Sequence, residues 1–165
     1  MESNTEDSPS MNHLTIVQHT SKYITQPYPT FAIDGLPFEV WLPQQDPGTE
    51  MNLVSAHWGL DNDWDVELIW DRSYSTAPGW KTLVPLLVCS EDLDLNCAVV
   101  AVEQVADQER IHWQRFGVMR GWIHDADPEV DWFEGVAPVS FQRAEFMSAL
   151  DSFRQLIGLK LDWYD

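Results

Sequence analysis

Between Thr82 and Met119 three runs rich in β-branched and aromatic residues, TLVPLLV, LNCAVVAVEQV and ERIHWQRFGVM, are separated only by CSEDLD and ADQ. Polar breaks this short between strand-like runs imply an antiparallel meander. After the turn DADPE, VDWFEGV offers a fourth strand. The period then changes. In SFQRAEFMSALDSFRQLIG the apolar residues Phe146, Leu150, Phe153 and Ile157 recur at spacings of four, three and four, one face of a helix. Ser140 is placed to cap its start and Gly158 to end it.

Upstream the pattern is looser. HLTIVQHT alternates as a strand, with Leu14 and Ile16 on one face and Thr15 and Val17 on the other. TFAIDGLPFEVWL, Thr30 to Leu42, predicts a hairpin turning at Asp34-Gly35, with Pro37 delaying its second arm or placing it at an edge. Met51 to Leu60 fits a short helix or an irregular segment. WDVELIWDR predicts a strand with Trp64, Val66, Leu68 and Trp70 on one face. PQQDPGTE and SYSTAPGW are connections. Strands followed by a terminal helix define an α+β fold, an antiparallel meander or curved sheet packed against a C-terminal amphipathic helix. The expected organisation is a disordered acidic tail over 1–12, one domain over 13–158 and a C-terminal tail over 159–165.

A chain of 165 residues with 44% hydrophobic content is long enough for one core. It has no apolar run near the length of a membrane span. The opening MESNTEDSPSMN is acidic and polar, where a secretory signal needs a basic start and an apolar stretch, so the expected location is cytoplasmic, with reduced thiols. Nine basic residues against 27 acidic ones leave a net charge of −18. Such a field repels nucleic acid and anionic membrane and attracts cationic partners.

LVCSEDLDLNC, Leu87 to Cys97, gathers two cysteines and three carboxylates. Asp92, Asp94, Asn96 and Glu103 match positions 1, 3, 5 and 12 of a calcium loop. The sixth position, which needs glycine, is Cys97, and AVVAV continues as a strand, so no metal is expected. Cys89 and Cys97 lack the spacing of a redox pair or zinc knuckle and are expected as small buried hydrophobes. The stretch is read as a hairpin with an acidic bend. No cofactor is implied. The chain lacks a G-x-S-x-G elbow, an H-E-x-x-H pair and a glycine-rich phosphate loop. Catalysis would require distant residues to meet around His57, His112 or His124.

Nine tryptophans remain to be placed. Trp113 and Trp132 fall in expected strands and suit the core, whereas Trp58, Trp80, Trp122 and Trp163 fall in turns or tails. The acids cluster in GLDNDWD, with Asp61, Asp63 and Asp65, and in HDADPE, with Asp125, Asp127 and Glu129. With Glu91, Asp92 and Asp94 they are positioned to line one rim of the sheet. Tryptophan beside acids is a suitable anchor for a cationic protein. The candidate partner-binding residues are Asp61, Asp63, Asp65, Glu91, Asp92, Asp94, Asp125, Asp127, Trp58 and Trp122.

The combination VPLLVCSEDLDLNCAVVAVE, IHWQRFGV and VDWFEGVAPVSFQRAEFMSALDSF resembles a family of small bacterial proteins to whose motifs no activity attaches. That family carries a P-[LI]-L-x-C-x-x-D-x-D-x-x-C stretch, a W-x-R-x-G strand and [VE]-x-W-F before a helix with an aromatic-x-x-x-L repeat. The likeness covers roughly Val84 to Phe153. In size, acidity and α+β make-up the chain is also similar in type to immunity proteins that neutralise bacterial toxins. Charge, the lack of a catalytic motif and this analogy together lead to the expectation of a non-catalytic inhibitor. An acidic rim flanked by tryptophan would block a basic toxin domain. The competing expectations are a small enzyme with a dispersed site and a structural subunit of a larger assembly.

Overall fold

The computed structural model describes residues 11–20, 24, 26–47, 53–91, 93, 95, 98–125 and 127–159. In chain order these form β1 (Leu14–His19), β2 (Tyr28–Ile33), β3 (Leu36–Pro37), α1 (Phe38–Gln45), β4 (Leu53–Ser55), α2 (Ala56–Gly59) and α3 (Asp63–Ser73). There follow β5 (Lys81–Cys89), β6 (Val99–Ala106), β7 (Arg110–Met119), β8 (Val130–Trp132), β9 (Val139–Gln142) and α4 (Arg143–Ile157). The fold is α+β, with two antiparallel sheets and a C-terminal helix.

The expected meander is its centre. β5, β6 and β7 pair in succession, β4 joins β5, and β8 and β9 pair with opposite ends of β7. The extra strand is thus shorter than VDWFEGV suggested, and β8 covers only Val130–Trp132. It can close on β7 because Gly117 has no side chain. A Cβ there would lie 2.5 Å from the Asp131 carbonyl oxygen and 2.6 Å from Val130 Cγ1.

One sheet face is apolar. Val100, Val102, Ile111, Trp113 and Phe116 are buried on it. The three-stranded sheet and the helices supply the opposing layer. Phe146 of α4 meets Trp113 edge-on at 6.1 Å, Phe153 meets Phe31 of β2 at 4.9 Å, and Trp41 of α1 meets Phe116 at 5.5 Å. The polar indole of buried Trp113 is satisfied: Nε1 donates to Gln104 Oε1 at 2.9 Å, and Gln104 Nε2 donates to the Ser73 carbonyl at 3.2 Å.

Two expected strands are helices. The turn at Asp34-Gly35 forms, both residues having positive φ, but its ladder ends after two pairs, Ile33 with Leu36 and Ala32 with Pro37. Phe38, Trp41 and Leu42 are then buried at the spacing of a helix. Glu39 helps hold this entry, accepting from the Tyr28 hydroxyl at 2.5 Å and the Thr30 hydroxyl at 2.7 Å. In Trp64–Arg72 the buried positions are Asp65, Ile69 and Trp70, followed by Ser73. They define a helical face and leave Trp64 outside. Met51 to Leu60 contains both β4 and the short α2.

α4 follows Gln142 without a side-chain cap, because Ser140 lies within β9. Gly158 does end the helix, with φ of 71°. Asn12, assigned to the tail from sequence, is bound into the body. Its N–H donates to the Ser140 carbonyl at 2.8 Å and its Nδ2 donates to Asp34 Oδ2 at 2.8 Å. Among the described residues no helix is long and apolar enough to cross a membrane.

Candidate functional site

The site is built on the start of α3. Asn62 Oδ1 accepts the Asp65 N–H at 2.9 Å, capping the helix, and Asn62 Nδ2 donates to Asp65 Oδ2 at 2.8 Å. This turns the Asp65 carboxylate inward. There Oδ2 accepts the Leu95 N–H at 3.1 Å, and Oδ1 accepts from His124 Nε2 at 2.9 Å. The Asp65 and His124 side chains are only 7% and 8% exposed. The Asp61 N–H also donates to the Leu93 carbonyl at 3.1 Å. One buried carboxylate therefore ties together three chain segments, around 61–65, 93–95 and 122–125.

Burial pushes the Asp65 pKa up, but hydrogen bonds from His124, Asn62 and the Leu95 backbone outweigh it, and the net shift is downward. The carboxylate stays ionised. The His124 ring it holds is the platform for two tryptophans. Trp64 stacks on His124 with centroids 3.8 Å apart, Trp122 lies 4.9 Å from His124, and the two indoles meet edge-on at 5.4 Å. Trp64 is 59% exposed and Trp122 44%.

Of the acids expected at the partner surface, Asp61, Asp63, Glu91, Asp125 and Asp127 are exposed. Asp65 is not. It is the buried tie beneath the surface, because α3 is a helix and Asp65 shares its inner face with Ile69. Asp92 and Asp94 lie outside the described residues, as do Asn96 and Cys97. Trp122 belongs to the exposed cluster. Trp58 is half-buried and packs on Tyr28 at 4.6 Å, so it serves the interior. Trp64, assigned from sequence to a strand's apolar face, is the surface's most exposed ring. The local signal for it was the Asn62-x-x-Asp65 capping pattern, which marks a helix start at 63.

The expectation of buried, reduced thiols fails for Cys89. It ends β5, is half-buried and is joined in a disulfide. Its Sγ also accepts the Ala98 N–H at 3.2 Å.

Two further histidines bear on catalysis. His57 is sealed in the core against Phe31, Trp70 and Phe153. Its Nε2 is 2.8 Å from Ser73 Oγ, whose hydroxyl donates to the Ile69 carbonyl at 2.7 Å, and Nδ1 is buried without a partner among the described residues. Burial pushes its pKa down to about 3, so it is a neutral interior ring with no route to a substrate. His112 faces the polar side of the sheet. Its Nδ1 is 2.7 Å from Ser140 Oγ and its Nε2 is 2.9 Å from Asp107 Oδ2. Hydrogen bonds from His112 and from the Glu109 and Arg110 backbone hold the Asp107 pKa down at about 2. Asp107 and His112 are near neighbours in the chain, whereas Ser140 reaches His112 only through the β7–β9 pairing, in which the two are direct partners.

No model of a known protein family, no curated protein and no solved structure matches the chain. The surface at Trp64 presents flat apolar rings within a strongly acidic field, suited to cationic and aromatic-compatible ligands.

Proposed function

We propose that this chain is a non-catalytic binding protein whose Trp64–Trp122 surface docks on a cationic protein, in the manner of an immunity protein blocking a basic toxin domain. The observation that carries this reading is the pair of exposed, mutually packed tryptophans fixed on a buried Asp65–His124 pair. Exposed indoles held rigidly lose little side-chain freedom on binding and act as anchors. Asp61, Asp63, Asp125 and Asp127 supply the steering field at their rim. A cytoplasmic setting belongs to this reading, and the Cys89 disulfide weighs against it, since reducing compartments keep thiols unpaired.

The test is capture on immobilised protein at low salt, run beside a Trp64→Ala/Trp122→Ala variant. A basic protein retained by the wild type, released by moderate salt and lost by the variant is the expected result. Equal retention on both would remove the patch from the proposal. With that protein in hand, joint replacement of Asp61, Asp63 and Asp125 by Asn should slow association by about tenfold at low salt and flatten its salt dependence.

A second reading, hydrolysis, is favoured by one observation, the Ser140–His112–Asp107 chain of hydrogen bonds. It has the order of nucleophile, base and orienting carboxylate. It ranks second because the Ser140 N–H, a natural oxyanion donor, is already bound to Asn12 Oδ1 at 3.1 Å. Under this reading the protein would hydrolyse p-nitrophenyl acetate, and Ser140→Ala would abolish the activity. Equal background rates for both proteins would leave the three residues as cross-strand polar pairing.

A further inference from the structure

We infer that the cavity beside Trp64 receives an arginine side chain of the partner, an inference that rests on the binding role proposed above. Trp64, Glu67, Leu68 and Asp71 stand at i, i+3, i+4 and i+7 of α3, hence on one helical face. With His124 and Arg72 they line a cavity of about 390 Å³, room enough for one long side chain. Trp64, stacked on His124 by one face of its indole, lines it, and its carboxylates are exposed Glu67 and Asp71.

The cation already present is directed elsewhere. Arg72 donates through Nη1 to the Leu83 carbonyl at 3.1 Å and through Nη2 to the Ile123 carbonyl at 2.9 Å. Asp71 acts on the Arg72 charge from a distance. Neither Glu67 nor Asp71 has a side-chain hydrogen bond or ion pair with another described residue. An indole with two carboxylates at its margin is thus open to an external cation.

The same protein shows such an arrangement completed. On the polar face of the sheet the Arg115 guanidinium lies 4.0 Å over the Trp132 ring. There its Nε and Nη2 each donate at 3.1 Å to a separate oxygen of Glu103. The α3 face has the indole and the carboxylates of that assembly and lacks only the guanidinium. A planar guanidinium can stack on the ring while its fork faces carboxylate. An ammonium is a compact, strongly hydrated charge and does only the second well.

The experiment is a low-salt titration of the folded, full-length protein with a short Gly-Arg repeat peptide and its Gly-Lys counterpart. Indole and backbone amide resonances are followed, and the Trp64 indole is assigned from a Trp64→Leu variant. The expected result is a shift of the Trp64 indole by the arginine peptide, with about fivefold tighter binding than the lysine peptide, the effect of about 1 kcal/mol of ring–cation attraction. Glu67→Gln/Asp71→Asn, at exposed positions that do not touch the core, should remove that preference. Equal binding of both peptides, with shifts confined to the loops at 61–63 and 125, would overturn the arginine pocket and leave the acidic docking surface standing. Absence of binding by either peptide would overturn both.

Discussion

Between about pH 7.5 and about pH 5 the protein should lose about 2 kcal/mol of folding stability that a His57→Leu variant retains. The imidazole is enclosed by Phe31, Trp70 and Phe153, and its pKa falls from 6.5 to about 3 in the folded state. Below 6.5 the unfolded chain binds a proton at this position and the folded chain does not. Stability therefore rises with pH through this window. It falls by about 1.4 kcal/mol for each unit of acidification until the folded value is reached. Leucine is of similar size and removes both the buried Nδ1 that lacks a partner and the Nε2 bond to Ser73, so the readout is the change with pH rather than the stability at neutral pH. Urea unfolding followed by tryptophan fluorescence at both pH values measures the difference. Parallel pH dependence of the two proteins would show that His57 is hydrated or paired in solution.

Asp65→Ala should be the most damaging single change at the candidate site, costing about 3–5 kcal/mol. It leaves the nearly buried His124 ring and the Leu95 N–H without their acceptor. It also unties three segments at once. Asp65→Asn, which keeps the volume and one acceptor oxygen, should cost clearly less. The native pKa of Asp65 lies below the ordinary 3.8. Its contribution is therefore present above that value and is lost as pH falls through the folded pKa, a component that the alanine variant should lack. Hydrogen exchange at Leu95 is the local readout, since its amide is protected through this carboxylate. Retained protection at Leu95 together with unchanged stability would refute the role given to Asp65. If the role holds, partner capture should fail with it, because Trp64 and Trp122 would no longer be held on His124.

These two residues also show how far a linear reading reaches. Asp65 stands among Asp61 and Asp63 in GLDNDWD and looks like one more surface acid. Only the helical phase set by the Asn62 cap separates the one that turns inward from the two that stay in water. WDVELIW satisfies a strand's alternation and a helix's spacing alike. Packing decided it: Ile69 and Trp70, both completely buried, can face the core together with Asp65 and Ser73 only on a helix. The same competition resolved FEVWL, where Phe38 and Trp41 reach Trp113 and Phe116 from α1 and Leu42 is buried on the same helix.

What the amino-acid order determined by itself is what depends on neighbours in the chain. Short polar breaks forced β5, β6 and β7 to pair in sequence, Asp34-Gly35 turned the chain, and the spacing of Phe146, Leu150 and Phe153 with Gly158 after them made and ended α4. The clustering of acids and the −18 charge were equally plain, because charge is additive and needs no fold. Tertiary structure alone decided which segments the Asp65 carboxylate ties together, which tryptophans met in the open, and that Ser140 meets His112. Each of these rests on contacts between distant segments. Such contacts are selected by the joint packing of all the buried side chains, which no local window of sequence contains.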